Sequence, residues 1–468
     1  MTLFKEKDFL LLSLPVILVF AGLFFYSPLV CLAFLFLSLF SLVMIKATLN
    51  QKVILSFILL SILPGMLGRF SSSPKGGTTI LLTDLLVCLL VLGYALKKIV
   101  IEKKWQMTKV HYLIFSFLFV VLISYFNGIY SLYYLDKIYF KEVFTALLYL
   151  VRWFGYSVIF FVVTDEVKDE KDIRKWVKWL LWIAFITAFL GFLQLIFYPD
   201  FFEMFVLYGW DPHNGRLLGT FFDPNLIGAF LTFNICIIFG ILLHIKKNQK
   251  WYIYILLVLL IALVLTLSRS AYLGLMGGFV LLTFLRSRFV LSIGLLIAVV
   301  GVMLNPTVFD RIAQGVSIDD SAAKHIESWV DGIKIITAHP LLGVGYNLLP
   351  AAYDDLGLVD EWDVNNRSGV ENSLFTVWVT TGIMGIIFYC LIWLTIIIYA
   401  YRNWKKSTSD FIRGLNLGII GGFLSLFLSS LFVNVLFFSY IVVYMWFFSA
   451  FVFVADNIRR KASLETLV

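Results

Sequence analysis

The chain is 468 residues long, 61% hydrophobic and only 14% charged, with a mean hydropathy of +0.94. An ordinary soluble domain carries roughly 25% charged residues, so this composition excludes a soluble globular enzyme, a disordered tail and a disulfide-stapled secreted domain. The net charge of +8, from 37 Lys and Arg against 29 Asp and Glu, would hint at nucleic acid in a soluble protein. Here its distribution along the chain matters more, and no nucleic-acid partner is expected.

The apolar residues fall in runs of roughly 20, the length that spans a bilayer as a helix. In chain order the predicted spans are 9–26, 28–45, 53–67, 79–96, 110–126, 144–163, 177–197, 224–245, 251–267, 271–285, 289–304, 373–400, 413–431 and 435–455. The expected fold is an all-α polytopic membrane protein of about 14 transmembrane helices, a single integral membrane domain over 1–468. Lys5 and Lys7 precede the first apolar run, which lacks a small-residue cleavage pattern, so a retained first helix is expected there. Cys31, Cys88, Cys236 and Cys390 each stand alone in an apolar run, which predicts neither a disulfide nor a metal site.

Most basic residues fall in alternate inter-span segments, among them Lys97, Lys98, Lys103 and Lys104, then Arg174 and Lys175, then Lys405 and Lys406, then Arg459, Arg460 and Lys461. By the positive-inside rule these segments and both termini are cytoplasmic. The residues 198–216, the turn 268–270 and the long polar loop 305–372 then face the outer side. That loop is acidic overall, and Ile326, Trp329, Val330, Ile333 and Ile336 recur at helical spacing within it. Two readings stay open for this amphipathic helix: lying on the membrane or over a cavity, or packing on its own bundle.

Four segments on the predicted outer side carry polar residues against the lipid-facing background. In 215–231, GRLLGTFFDPNLIGAFL, Asp223 reads as a helix cap with Pro224 at the first helical position. Arg216 lies just before it, where a guanidinium calls for an anionic partner or water, beside a helix start that favours anions. In 265–275, LTLSRSAYLGL, Arg269 occupies a short polar turn. It snorkels into headgroups or, with Ser268 and Ser270, lines a polar pocket. In 339–346, HPLLGVGY, Pro340 ends the loop helix, Gly343 and Gly345 permit a tight loop, and His339 reads as a cap, a surface group or a catalytic residue. In 370–385, VENSLFTVWVTTGIMG, Asn372 or Ser373 is the natural cap of the next span. Glu371 there is either a helix-dipole partner or a general base at the mouth of the membrane.

In order and spacing these segments resemble the family of O-antigen ligases and Wzy-type polysaccharide polymerases, bacterial envelope glycosyltransferases, over roughly residues 210–390. The resemblance lies in an Arg before a D-P-N helix start, an S-R pair at a helix end, H-P-x-x-G-x-G after a loop helix bearing a Trp, and a polar residue before Asn opening a helix with G-x-x-G. It implies a C-type glycosyltransferase fold that takes a glycan from an undecaprenyl-diphosphate-linked donor at the outer face of the cytoplasmic membrane. The glycan passes to an acceptor hydroxyl on a glycan or lipid-linked acceptor, with inversion, no metal and no cofactor. Carried over by motif position, Arg216 and Arg269 hold the donor diphosphate, Asn372, His325 and His339 contact substrate, and Glu371 deprotonates the acceptor. Membrane lipids, a chain-length regulator and a flippase are the expected partners. The chain departs from the pattern twice: Glu371 stands where the ligases have His, and His325 stands where the loop helix has an Arg four residues before its Trp. The first departure shifts the expectation towards a polymerase of lipid-linked repeat units. A ligase delivering a finished glycan to lipid A core or another acceptor is the nearest alternative. A transporter or lipid-linked glycan flippase is the more distant one, with Arg152 as its main deep ionisable candidate and Asp84 nearer the outer end of its helix.

Overall fold

Apolar runs bounded by polar turns fold as helices because a backbone in lipid has to satisfy its own hydrogen bonds. The computed structural model describes residues 50–71, 79–102, 107–134, 140–201, 213–247, 249–286, 320–349, 353, 356–357 and 370–465. The helices are α1 (Gln51–Leu60), α2 (Leu82–Leu96), α3 (Lys109–Tyr134), α4 (Phe140–Glu166), α5 (Glu170–Phe197) and α6 (Pro224–Leu242). They continue with α7 (Gln249–Thr266), α8 (Arg269–Arg286), α9 (Asp320–Ala338), α10 (Ser373–Lys406), α11 (Asp410–Ser429) and α12 (Ser439–Glu465). Among the described residues eight of these, α3 to α7 and α10 to α12, are long and apolar enough to cross a membrane. This is a multi-pass membrane protein. Three of the expected spans, 9–26, 28–45 and 289–304, lie outside the described residues.

Two expected spans come out differently. The run 53–67 is helical only to Leu60, followed by turns and a short 3₁₀ segment, Gly65–Gly68. The cause is Pro64-Gly65: Gly65 has φ +54°, and a methyl group there would lie 2.3 Å from the Thr220 carbonyl oxygen. The run 79–96 begins not as helix but as a strand, β2 (Thr79–Leu81), paired antiparallel with β1 (Arg69–Ser71) so that Arg69 opposes Leu81.

α6, α11 and α12 form the centre of the bundle, with roughly four-fifths or more of their spanning residues buried. Helices that are apolar all round belong in such interiors. Small residues let backbones touch where α6 crosses α11: a methyl group on Gly240 would sit 2.3 Å from the Gly418 nitrogen. Gly414 and Gly418 form the small-xxx-small spacing that membrane helices use for close crossing. Trp446, Tyr444 and Phe448 of α12 are fully buried, and Trp446 packs on Trp393 of α10 at 5.0 Å between rings. Beyond the other end of α6, Trp404 Nε1 donates to His244 Nε2 (3.1 Å). That imidazole is neutral, and burial holds its pKa below the usual value.

α9 is the amphipathic loop helix, and only part of its apolar stripe faces the bundle. Ile335 and Gly332 are buried, with Trp329 and Ile336 half-buried, whereas Ile326, Val330 and Ile333 of the expected apolar stripe are each roughly half exposed. The helix packs on its own bundle through only part of that stripe. The three cysteines among the described residues, Cys88, Cys236 and Cys390, are free thiols.

Candidate functional site at one end of the bundle

The ends of α7 and α11 and the beginnings of α6, α8 and α10 meet through a hydrogen-bonded array. Asp223 caps α6 as expected, accepting from Asn225 N (2.7 Å) and Leu226 N (3.0 Å). Asn225 Oδ1 accepts from Ser268 Oγ (2.7 Å), which ties the start of α6 to the α7–α8 turn. The segment before Asp223 is fixed at its backbone: Leu218 N and Gly219 N both donate to Gln194 Oε1 at 2.8 and 3.1 Å, and Leu217 N donates to Leu265 O.

Arg216 reaches from this segment onto the same turn. Its Nε donates to Thr266 O (2.9 Å) and its Nη2 to Leu267 O (3.2 Å), while Nη1 lies 3.4 Å from His213 Nδ1. Backbone carbonyls orient a guanidinium without cancelling its charge. Leu267, one of the accepting residues, has φ +51°, and Phe222, beside Asp223, has φ +57°. Left-handed bulky residues of this kind are uncommon and gather where a site over-determines the backbone. Arg269 follows at the first position of α8, half-buried, two residues after the Leu267 carbonyl that Arg216 binds.

The turn between α11 and α12 joins this cluster to the start of α10. Ser429 Oγ donates to Ser270 O (3.1 Å) on the arginine side. On the other side Ser373 N donates to Ser430 O (2.9 Å), Leu436 N donates to Ser373 Oγ (3.3 Å), and Asn434 Nδ2 donates to Val370 O (2.8 Å). Asn372 is the cap of α10, accepting from Leu374 N and Phe375 N at 2.9 and 3.1 Å. Its side-chain oxygen is occupied by this local duty.

Glu371 stands at the rim, its side chain about half exposed, in contact through Oε2 with His325 Nδ1 of α9. The neighbouring residues of α9 grip its backbone: Glu371 N donates to Ser328 Oγ (2.9 Å) and Trp329 Nε1 donates to Glu371 O (3.3 Å). Phe432 packs against both the His325 ring (6.0 Å) and Trp329 (5.7 Å). Tyr353 lies close enough for Asp331 and Glu371 to act on it; burial first, then these two carboxylates, push its hydroxyl up to about 12. Tyr353 therefore stays protonated.

HPLLGVGY has a structural task. α10 is broken at Gly382, which adopts φ +65° and ψ −168°. The break frees carbonyls, and the loop fills it: Val344 N donates to Val379 O (3.0 Å), Gly345 N to Thr380 O (3.2 Å), and Ile383 N to Pro340 O (2.9 Å). Ser124 Oγ of α3 adds a bond to Thr380 O (2.6 Å). At ~1.5 Å per residue the break lies about 14 Å along α10 from its cap, so the loop enters to roughly half the depth of a hydrocarbon core. His339 carries the loop through its backbone, with its carbonyl accepting from Gly343 N (3.2 Å). Its half-buried imidazole makes no hydrogen bond among the described residues.

The structure thus gathers Arg216 and Arg269 on one turn, sets Asn372, Glu371 and His325 on the neighbouring helix start, and leaves His339 in the loop insert. Gln194, Ser328, Phe432, Asn434 and Tyr353 were not singled out from sequence. Each acts across 18 or more positions of chain, which no local pattern displays.

Residues 254–390 match the model of the O-antigen ligase family. Over that stretch, less than half of its length, the chain is similar to O-antigen ligases. A search of curated proteins returned no match to the chain. The matched stretch takes in Arg269, His325, His339, Glu371 and Asn372, and runs through the broken part of α10. Arg216 and the Asp223 cap precede it in sequence but are bonded directly to its turn at 266–268. The match indicates a glycan-transferring membrane enzyme.

Proposed function

We propose that the protein polymerises undecaprenyl-diphosphate-linked oligosaccharide repeat units at the outer face of the cytoplasmic membrane, with inversion at the anomeric carbon and without a metal. The observation that carries this reading is the hydrogen-bonded continuity from the arginine turn, through the 429–436 turn, to Val370 and Ser373, which flank Glu371 and Asn372. A departing lipid diphosphate develops negative charge, and two guanidinium forks at 216 and 269 match phosphate geometry. The acceptor hydroxyl is a poor nucleophile, and a positioned base accelerates such a transfer by ~100- to 10,000-fold. Glu371 is the acceptor-side residue whose carboxylate drives that deprotonation, and Asn372 holds it at the helix start. The alternation of basic segments supports placing this end outside and both termini inside. Chain-length regulators and flippases belong to this reading as partners.

A ligase that hands a finished glycan to a terminal acceptor is the second reading, favoured by the description of the matched family. Glu371 in place of His favours the polymerase. The test is turnover of purified enzyme on lipid-linked repeat units isolated from a strain lacking the gene. Polymers of many repeats are expected from wild type and none from Glu371→Gln, with donor binding retained. Transfer only to an added terminal acceptor would establish the ligase, and normal turnover of Glu371→Gln would remove Glu371 from the reaction.

A further inference from the structure

Positions 325 and 371 hold the two residues by which this chain departs from the pattern it otherwise follows, and the fold sets one against the other. They come from different elements, α9 and the residue before the α10 cap, and meet through His325 Nδ1 and Glu371 Oε2. We infer that the two form a dyad in which His325 takes the proton of the acceptor hydroxyl and Glu371 orients and supports its imidazole. This rests on the glycosyl transfer proposed above.

The geometry assigns the roles. Nδ1 touches Glu371 Oε2 but makes no well-directed hydrogen bond; at such a contact a lone pair on Nδ1 would repel the carboxylate, which favours the tautomer with its proton there. Nδ1 is therefore the protonated nitrogen and Nε2 keeps its lone pair. Nδ1 itself is inaccessible to solvent, while about a fifth of the His325 side chain remains exposed. The exposed part of the ring thus lies away from Glu371. The carboxylate is held in place from behind, because Ser328 and Trp329 bind the Glu371 backbone from the same helix that carries His325. Phe432 closes the edge of the ring. An imidazole titrates nearer neutral pH than a carboxylate, which makes it the better base for an alcohol there.

The step balances as follows. The acceptor oxygen bonds to the donor's anomeric carbon, and the bond from that carbon to the diphosphate oxygen breaks, its electron pair leaving with the diphosphate. The hydroxyl proton passes to His325 Nε2. The imidazolium so formed is matched by Glu371, and it returns its proton to water once the product has left.

The test uses the full-length enzyme and the lipid-linked repeat units described above, with undecaprenyl diphosphate as a separate binding probe. His325→Asn keeps an N–H for Glu371 and nearly the same bulk but has no basic nitrogen. Turnover is expected to fall ~100- to 10,000-fold, with undecaprenyl diphosphate binding unchanged. Combining it with Glu371→Gln is expected to add almost nothing, as for residues that act as one unit. Imidazole in the buffer should restore part of the activity of His325→Ala. Near-normal turnover of His325→Asn beside an inactive Glu371→Gln overturns the dyad and leaves Glu371 as the base of the same enzyme. Loss of undecaprenyl diphosphate binding in His325→Asn also overturns it, by assigning His325 to the donor or the fold. A wild-type enzyme that builds no polymer from these units fails the proposed function rather than the dyad.

Discussion

Replacing Gly382 with Ala is expected to destabilise the protein far more than the same change at Gly215. At Gly382 the backbone has φ +65° and ψ −168°, a region that is essentially glycine's own and costs other residues of order 1–3 kcal/mol. The added methyl would also lie 2.1 Å from the Leu341 carbonyl oxygen and 2.2 Å from its carbon. Those are backbone atoms, so relief comes only by parting the 340–345 loop from the broken helix. Three backbone hydrogen bonds hold that seam, and a buried group left unpaired costs about 1–3 kcal/mol. Strain plus one lost bond gives about 2–6 kcal/mol. Gly215 has a similar φ of +62° but nothing within 4 Å of an added methyl, so only the left-handed penalty of roughly 1–2 kcal/mol applies. Equilibrium unfolding of both variants in mixed micelles, followed by circular dichroism, separates the two magnitudes. A Gly382→Ala protein no less stable than Gly215→Ala would refute the assignment of 340–345 as the filler of the break.

Alanine at Arg216 or Arg269 should cut polymer formation at least ~100-fold, and Lys should recover only part of it, because a point charge lacks the bidentate fork; unchanged polymer length and yield would dismiss the donor clamp. In a background freed of native cysteines, which matters because Cys88 and Cys390 are exposed, cysteines at Ser317 and Asp360 should react with an impermeant reagent in intact cells (with any outer membrane permeabilised) and one at Ser407 should not. Labelling at Ser407 alone would invert the topology. Asp84→Asn should cost about 3–5 kcal/mol of stability by leaving Arg152 buried beside a neutral amide, measured by the same unfolding assay; a loss below 1 kcal/mol would show that the pair is solvated.

What sequence reveals here is what is local. The helices were legible because burial in lipid demands long apolar runs, and the caps at Asp223 and Asn372 because a capping bond spans two or three residues. The break in α10 was not, because Gly382 and Gly385 in an apolar run look like packing glycines, and the loop that complements the break lies some forty residues away. The same distance hides the contact of His325 with Glu371. The packing of α9 was not legible for a different reason: Ile326, Val330 and Ile333 carry the hydrophobic pattern, yet the side against α10 is set by Gly332 and Ile335. Hydropathy reports which residues avoid water, and in a membrane protein that includes the residues turned away from the protein.

The buried charges decide between an enzyme and a carrier. A transporter holds its coupling ion on ionisable side chains or on unpaired carbonyls of discontinuous helices near mid-membrane. Both features exist here, and both are consumed internally. Asp84 accepts from Arg152 Nη2 (2.6 Å) and Leu81 N (2.8 Å) on one oxygen and from Tyr156 Oη (2.9 Å) on the other, and Arg152 also donates to Thr79 O. The carbonyls freed at the α10 break are taken by Val344, Gly345 and Ser124. Arg216, Arg269, His325 and Glu371 instead gather at one end of the bundle, on turns tied to one another. Such an end suits a substrate whose lipid lies in the bilayer and whose diphosphate and sugars meet at its surface, which is where a glycosyl transfer between lipid-linked chains has to occur.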